Sequence, residues 1–84
     1  MSYTLSILKR AQKQLADLPK RDYEKSRDAI YELTNNPRPT GCLKLRGREG
    51  WRIRVRDYRV IYEIDDTKQS VLVLHIGHRR DVYR

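Results

Sequence analysis

Tyr3, Leu5 and Ile7 alternate with Ser2, Thr4 and Ser6, a period of two that predicts a short first strand. The rhythm then changes. Leu8, Ala11, Leu15 and Leu18 recur at spacings of three, four and three, which predicts a helix closed by Pro19. A second helix is expected from about Arg21 to Leu33, with Tyr23, Ile30 and Leu33 on its apolar stripe and Asn35, Asn36 and Pro37 as its stop signal. Two helices joined this tightly should form an antiparallel hairpin. After a loop at 37–41 the period returns to two. Strands are expected at Cys42–Arg46, Trp51–Arg56, Arg59–Asp65 and Val71–Ile76, separated by turns at Gly47–Gly50, at Asp57 and Tyr58, and around Thr67 and Gln69. The predicted architecture is α+β: an N-terminal strand, a helix hairpin, and an antiparallel β-meander with the helices packed on one face. Residues 1–84 should form one domain.

The stretch WRIRVRDYRVIYEI at 51–64 sharpens this picture. Alternation puts Trp51, Ile53 and Val55 on one side of their strand and Arg52, Arg54 and Arg56 on the other. The helices need an apolar face to cover, so the arginine face is the one left bare. On the next strand Val60, Tyr62 and Ile64 alternate with Arg59, Ile61 and Glu63, and pairing in register would bring Arg59 onto the same bare face. Trp51, lying opposite the arginines, is read as core and not as a platform for stacked bases. The last strand, VLVLHIG, is apolar on both sides until His75.

Charge strengthens the distinction between the faces. Nineteen Lys and Arg against eleven Asp and Glu give a net charge of +8, which favours anionic partners. The excess is concentrated: residues 37–64 hold eight basic and three acidic side chains. From Arg46 to Arg59 all six cations are arginines, although the chain carries six lysines elsewhere. Solubility alone would not exclude lysine. Guanidinium groups are planar, fork onto phosphate oxygens and stack on bases, so this composition fits nucleic-acid recognition.

A phosphodiester held by Arg52, Arg54, Arg59 and Arg79 would have the extra negative charge of its pentacoordinate transition state stabilised. RNA brings its own nucleophile: the 2′-hydroxyl attacks the adjacent phosphate in line and leaves a 2′,3′-cyclic phosphate. Such chemistry needs neither metal nor cofactor, and none is expected. No carboxylate pair lies among the arginines where a magnesium ion would need one, and His75 and His78 are too few for a metal cluster. Arginine cannot move protons at ordinary pH. Tyr83, whose phenolate a crowd of guanidinium groups favours, is the best candidate for a base; its alternative role is to pin the C-terminal tail. His78 is either a solvated tail residue or an aid to proton transfer. Arg56 could contact the RNA backbone.

Together KLRG at 44–47, WRIRVRDYRVIYEI at 51–64 and GHRRDVYR at 77–84 resemble the RelE branch of the RelE/ParE toxin superfamily, ribosome-dependent mRNA endonucleases of bacterial toxin–antitoxin pairs. The resemblance spans nearly the whole chain. It implies an RNA contact at Arg46, a clamp on the scissile phosphate at Arg52 and Arg54, and charge stabilisation by Arg59; Lys44, Arg56 and His78 are further candidate RNA-binding residues. It also implies that Arg79 steadies the transition state or leaving group and that Tyr83 orients or deprotonates the 2′-hydroxyl. The best-known relatives carry lysines where this chain has Arg52 and Arg54, so a phosphate clamp is retained here but a base at those positions is not. The tail ending at Arg84 is shorter than in those relatives.

The partners so implied are mRNA, the ribosomal A site with its rRNA, and a cognate antitoxin that wraps the toxin and covers the basic face or displaces the terminal helix. A chain of this length buries only roughly 60 to 65% of its unfolded surface, so a covering partner would add needed stability. A ParE-like inhibitor of DNA gyrase and a non-catalytic RNA-binding module are the rival readings. A single cysteine, Cys42, excludes an intrachain disulfide. With no membrane-length apolar run and no signal-like start, a cytoplasmic location without membrane contact is expected.

Overall fold

The computed structural model describes residues 2–78. Its elements follow the order β1 (Thr4–Ile7), α1 (Lys9–Ala16), α2 (Lys20–Glu32), β2 (Leu43–Lys44), β3 (Trp51–Val55), β4 (Tyr58–Asp65) and β5 (Ser70–His78). The five strands form one sheet in the order β1-β5-β4-β3-β2. Strands β2 to β5 run as an antiparallel meander, and β1 returns beside β5 in parallel, Thr4 opposite Ser70 through Ile7 opposite Val73. The expected α+β layering is therefore the observed one, with a mixed sheet.

The core lies between helices and sheet. Ala11 from α1, and Ile30 with Leu33 at the end of α2, meet Ile53, Val60, Tyr62, Val71, Val73 and Ile76 from the strands. Full burial of aliphatic side chains of this size contributes about 1.5–3 kcal/mol each. Trp51 and Val55 pack against this cluster at its margin, so the helices do cover the apolar side of β3. Tyr62 is fully buried and donates its hydroxyl to Pro37 O at 2.7 Å, tying the loop after α2 to the sheet. A second tie runs through Arg38, whose guanidinium forks onto Asp66 at 2.9 and 3.2 Å while Asp66 also accepts from the Tyr3 hydroxyl at 2.8 Å. These two partners, Arg38 first, hold the Asp66 carboxyl below its ordinary range.

Two local departures from simple alternation decide which side chains reach the bare face. The first is the β3–β4 turn. Val55 pairs with Tyr58, so the two-residue turn is Arg56–Asp57 and not Asp57–Tyr58. Arg56 takes a left-handed φ of 56°, as tight hairpins of this length demand. The second is a bulge in β5. Ile61 pairs with His75 but its neighbour Tyr62 pairs with Val73, so Leu74 is an extra residue in the ladder. Without it, His75 would follow Val71 and Val73 into the core. With it, Ile76 takes the core position and His75 moves to the bare face.

Candidate nucleic-acid interface

Cross-strand neighbours share a face, and the register builds the bare face as two rows. One row runs Leu43, Arg52, Ile61, His75 across β2 to β5; the other runs Arg54, Arg59, Gly77 across β3 to β5. Adjacent strands lie about 4.8 Å apart and same-face residues roughly 6.5–7 Å apart along a strand. Arg52, Arg54 and Arg59 therefore gather within the footprint of one or two nucleotides. Gly77, having no side chain, stands opposite Arg59 on β5.

The β2–β3 connection walls this face. Leu43, Lys44, Leu45, Arg46, Arg48, Arg52 and Ile61 line a groove of about 650 Å³. Its apolar part is built from Leu43, which is 51% exposed, and from the deeply set Ile61. Arginine rims over an apolar floor suit a planar base attached to a charged backbone. Gly50 shapes the wall: its φ is 124°, and a Cβ there would meet Leu45 Cδ1 at 3.0 Å. Leu45 N donates to Gly50 O at 3.0 Å and closes the connection.

The opposite wall belongs to α1. Strand β1 pairs β5 only as far as Val73, so the rest of the β5 edge would be open. Side chains of α1 close it instead: Arg10 Nε donates to Leu74 O at 2.9 Å, and Gln14 Oε1 accepts from Ile76 N at 2.8 Å. Gln14 Nε2 lies 3.1 Å from His75 Nδ1. Burial, then the charges of Arg10 and Arg48, push the His75 imidazole below its ordinary value. Neither Arg10 nor Gln14 was among the candidates from sequence. Their one-turn spacing beside the Leu8–Ala11–Leu15 stripe was the available signal, but nothing in it specifies a strand edge as the target.

Of the expected site residues, Arg46, Arg52, Arg54 and Arg59 lie on this face or its rim. Arg56 and His78 do not join them, and Lys44 lines the groove while its ammonium group stands elsewhere. Lys44 is cross-strand from Trp51, with Nζ 5.6 Å from the indole centroid and 4.0 Å from Glu49; its charge belongs to the Trp51 side. Arg56, turned by its left-handed backbone, forms an ion pair with Asp22 in the first turn of α2. The Asp22 side chain is only 17% exposed, so this pair anchors the hairpin to the helix layer. His78 is cross-strand from Tyr58 and meets its ring edge-on at 5.6 Å. It thus sits on the Val55–Tyr58 side, one strand position out of phase with the arginines. Arg79 and Tyr83 lie outside the described residues.

Trp51 faces the helix side, as its alternation implies. Arg38 Cζ stands 5.0 Å from its ring centroid, so with Lys44 two cations pack against the indole. No helix among the described residues is long and apolar enough to cross a membrane.

Comparison with known proteins agrees with this architecture. The family described as "ParE toxin of type II toxin-antitoxin system, parDE" matches residues 5–83. Toxin RelG of Mycobacterium tuberculosis is 33% identical over 86 residues, covering 100% of this chain and 99% of that protein. A chain of the archaeal RelE–RelB complex from Pyrococcus horikoshii OT3 superposes with a TM-score of 0.85 at 30% identity, covering 98% of this chain and 100% of that one. The isolated Escherichia coli RelE toxin superposes with a TM-score of 0.80 at 31% identity, covering 98% and 92% of the two chains. With a family match over nearly its whole length and the same layered fold, this chain belongs to the RelE/ParE superfamily and is the toxin of a type II toxin–antitoxin system.

Proposed function

We propose that this toxin is an endoribonuclease that cleaves mRNA in the ribosomal A site and so arrests translation. The observation that carries the proposal is the clustering of arginines on one sheet face, where Arg52 and Arg54 stand on β3 and Arg59 pairs directly with Arg54 across the strands. Three guanidinium groups converging on one phosphodiester stabilise the negative charge that grows as the 2′-hydroxyl attacks. The attacking oxygen and the phosphate belong to the same nucleotide, so the enzyme orients groups and accepts the 2′-hydroxyl proton, while the departing 5′-oxygen takes a proton from solvent. No metal ion is needed in this scheme. Arg52 and Arg54 clamp the phosphate, Arg59 meets its developing charge, and Arg46 holds the flanking backbone. Tyr83 takes the 2′-hydroxyl proton, and Arg79 steadies the leaving group.

The names of the relatives favour the RelE reading over the gyrase-inhibitor reading, to which the ParE name of the matching family points. Solved relatives include RelE–RelB complexes, which supports a cognate antitoxin as the partner that holds this chain inactive in the cytoplasm. The test is a purified translation system in which mRNA ends are mapped and examined for 2′,3′-cyclic phosphate. Cleavage is expected with ribosomes, not without them, and should fall about 10²–10³-fold in Arg59→Ala. Intact mRNA with ongoing translation would overturn the proposal, and inhibited DNA supercoiling would then establish the gyrase reading.

A further inference from the structure

The histidine on the arginine face has one orientation and one tautomer, and the hydrogen bonds around it dictate both. A backbone N–H can only donate, so the contact of Ile76 N with Gln14 at 2.8 Å fixes the oxygen of that amide. The other end of the amide, its NH2 group, then faces His75 Nδ1 at 3.1 Å. An NH2 group can only donate, so Nδ1 must accept and the imidazole proton resides on Nε2. Protonating Nδ1 would set N–H against N–H. The charged groups that face the ring, Arg10 from α1 and Arg48 from the β2–β3 connection, oppose the imidazolium as well. Nδ1 is turned to α1, and the register places His75 in one cross-strand row with Ile61 and Arg52.

We propose that His75, held in this tautomer by Gln14, is a specificity-determining residue that reads the base beside the clamped phosphate through its single Nε2–H donor. This rests on the reading of the face as an RNA site. The ring stands two strands from Arg52, roughly 10 Å away, which is within one nucleotide of a phosphate held there. A fixed donor with no acceptor sorts bases by one feature. Guanine and uracil present a carbonyl oxygen where adenine and cytosine present an amino group. His75 therefore selects keto bases over amino bases. It is not the proton-transfer group: Nδ1 is occupied by Gln14, and a neutral imidazole does not release its remaining proton at ordinary pH. Among the groups on this face, the arginines likewise only donate, but as mobile forks that grip any backbone. The locked imidazole is the part whose geometry can discriminate.

Gln14→Glu isolates the claim. A carboxylate still accepts from Ile76 N, so the β5 edge stays closed, but its second oxygen now accepts from Nδ1–H and removes the lock. Two measurements test the proposal. Long-range nitrogen–proton correlation spectra of the free protein should show an Nε2–H neutral tautomer for His75, converted to Nδ1–H or to the imidazolium in Gln14→Glu. Fluorescence anisotropy with short labelled RNAs differing only as guanine versus adenine, or uracil versus cytosine, at one position should show about a tenfold keto preference, the size of one good hydrogen bond. His75→Ala should lose it by binding the guanine and uracil RNAs about tenfold more weakly, and Gln14→Glu should lose it to the extent that the neutral Nδ1–H tautomer replaces the Nε2–H one, since the imidazolium keeps its Nε2 donor. An Nδ1–H tautomer in the wild type, or equal base preference in all three proteins, would overturn the role of His75 and leave the arginine face as read. Failure of every protein to bind RNA would overturn both.

Discussion

Arg54 and Arg59 face each other directly across β3 and β4, an arrangement that costs the free protein stability. Directly opposed residues have Cβ atoms about 4.5–5.5 Å apart, and like charges in such pairs destabilise. Two guanidinium groups at about 7 Å repel by about 0.6 kcal/mol in a water-like dielectric. Arg54→Thr removes that repulsion and places a strand-favouring residue on β3. The hydrogen bond it gives up is weak, from Arg54 Nε to Arg56 O at 3.3 Å, at the long end of the range. The variant should gain about 0.5 kcal/mol, which for 84 residues raises Tm by about 2–4 °C. Salt separates the two contributions. Between about 0.01 and 1 M salt the screening length falls from about 30 to 3 Å, so the electrostatic part of the gain should vanish at high salt while the strand-propensity part persists. Thermal unfolding of both proteins at the two salt concentrations measures this. RNA titrations on the same samples should show weaker binding and a log–log salt slope shallower by about 0.7, one phosphate contact on a single strand. A variant less stable than wild type at low salt, or a stability gap indifferent to salt, would refute the reasoning.

Other perturbations probe the scaffold behind the face. Tyr62→Phe leaves Pro37 O without its 2.7 Å donor and should cost about 1–2 kcal/mol in urea unfolding. Burial raises the Tyr62 phenol above its ordinary value of 10.0, so its contribution is complete below pH 10.0 and is lost as pH climbs beyond it, when only the unfolded chain ionises there. Part of the alkaline fall in stability should accordingly be missing in the Phe variant, and identical pH slopes would contradict this. Ser26 is fully buried in α2 and its Oγ has no hydrogen-bond partner among the described residues. Ser26→Ala should therefore stabilise by about 0.5–2 kcal/mol in the same assay, and a loss of stability would reveal a role for the hydroxyl.

The face was legible because parity within one strand is a local property. WRIRVR announces two sides, and the helices could only take the apolar one. Arg59 followed as soon as its strand paired with its neighbour. What escaped prediction depends on events between strands. Arg56 continues the alternation on paper, but it occupies a left-handed turn position and is delivered to Asp22. Lys44 and His78 are each one residue out of phase with an arginine-face neighbour, Leu43 and Gly77 respectively, and that phase is set by pairing with Trp51 and Tyr58. His75 lies beyond a bulge that no periodicity in VLVLHIG marks. Gln14 and Arg10 act on the edge of a strand some sixty residues later, a relation that exists only after β1 has stopped short.

Trp51 is the chain's one tryptophan, and it lies on the helix side of the sheet between Arg38 and Lys44. Its emission is thus a built-in gauge of the loop that Arg38 anchors, read from the side of the sheet opposite Arg52 and Arg54. Phosphate settling among Arg52, Arg54 and Arg59 leaves the indole's two cations in place and its fluorescence nearly unchanged. A large optical change on adding any partner would signal that the partner has pried the Arg38 loop from β3, so this single residue distinguishes a ligand that occupies the face from one that reshapes the back of the molecule.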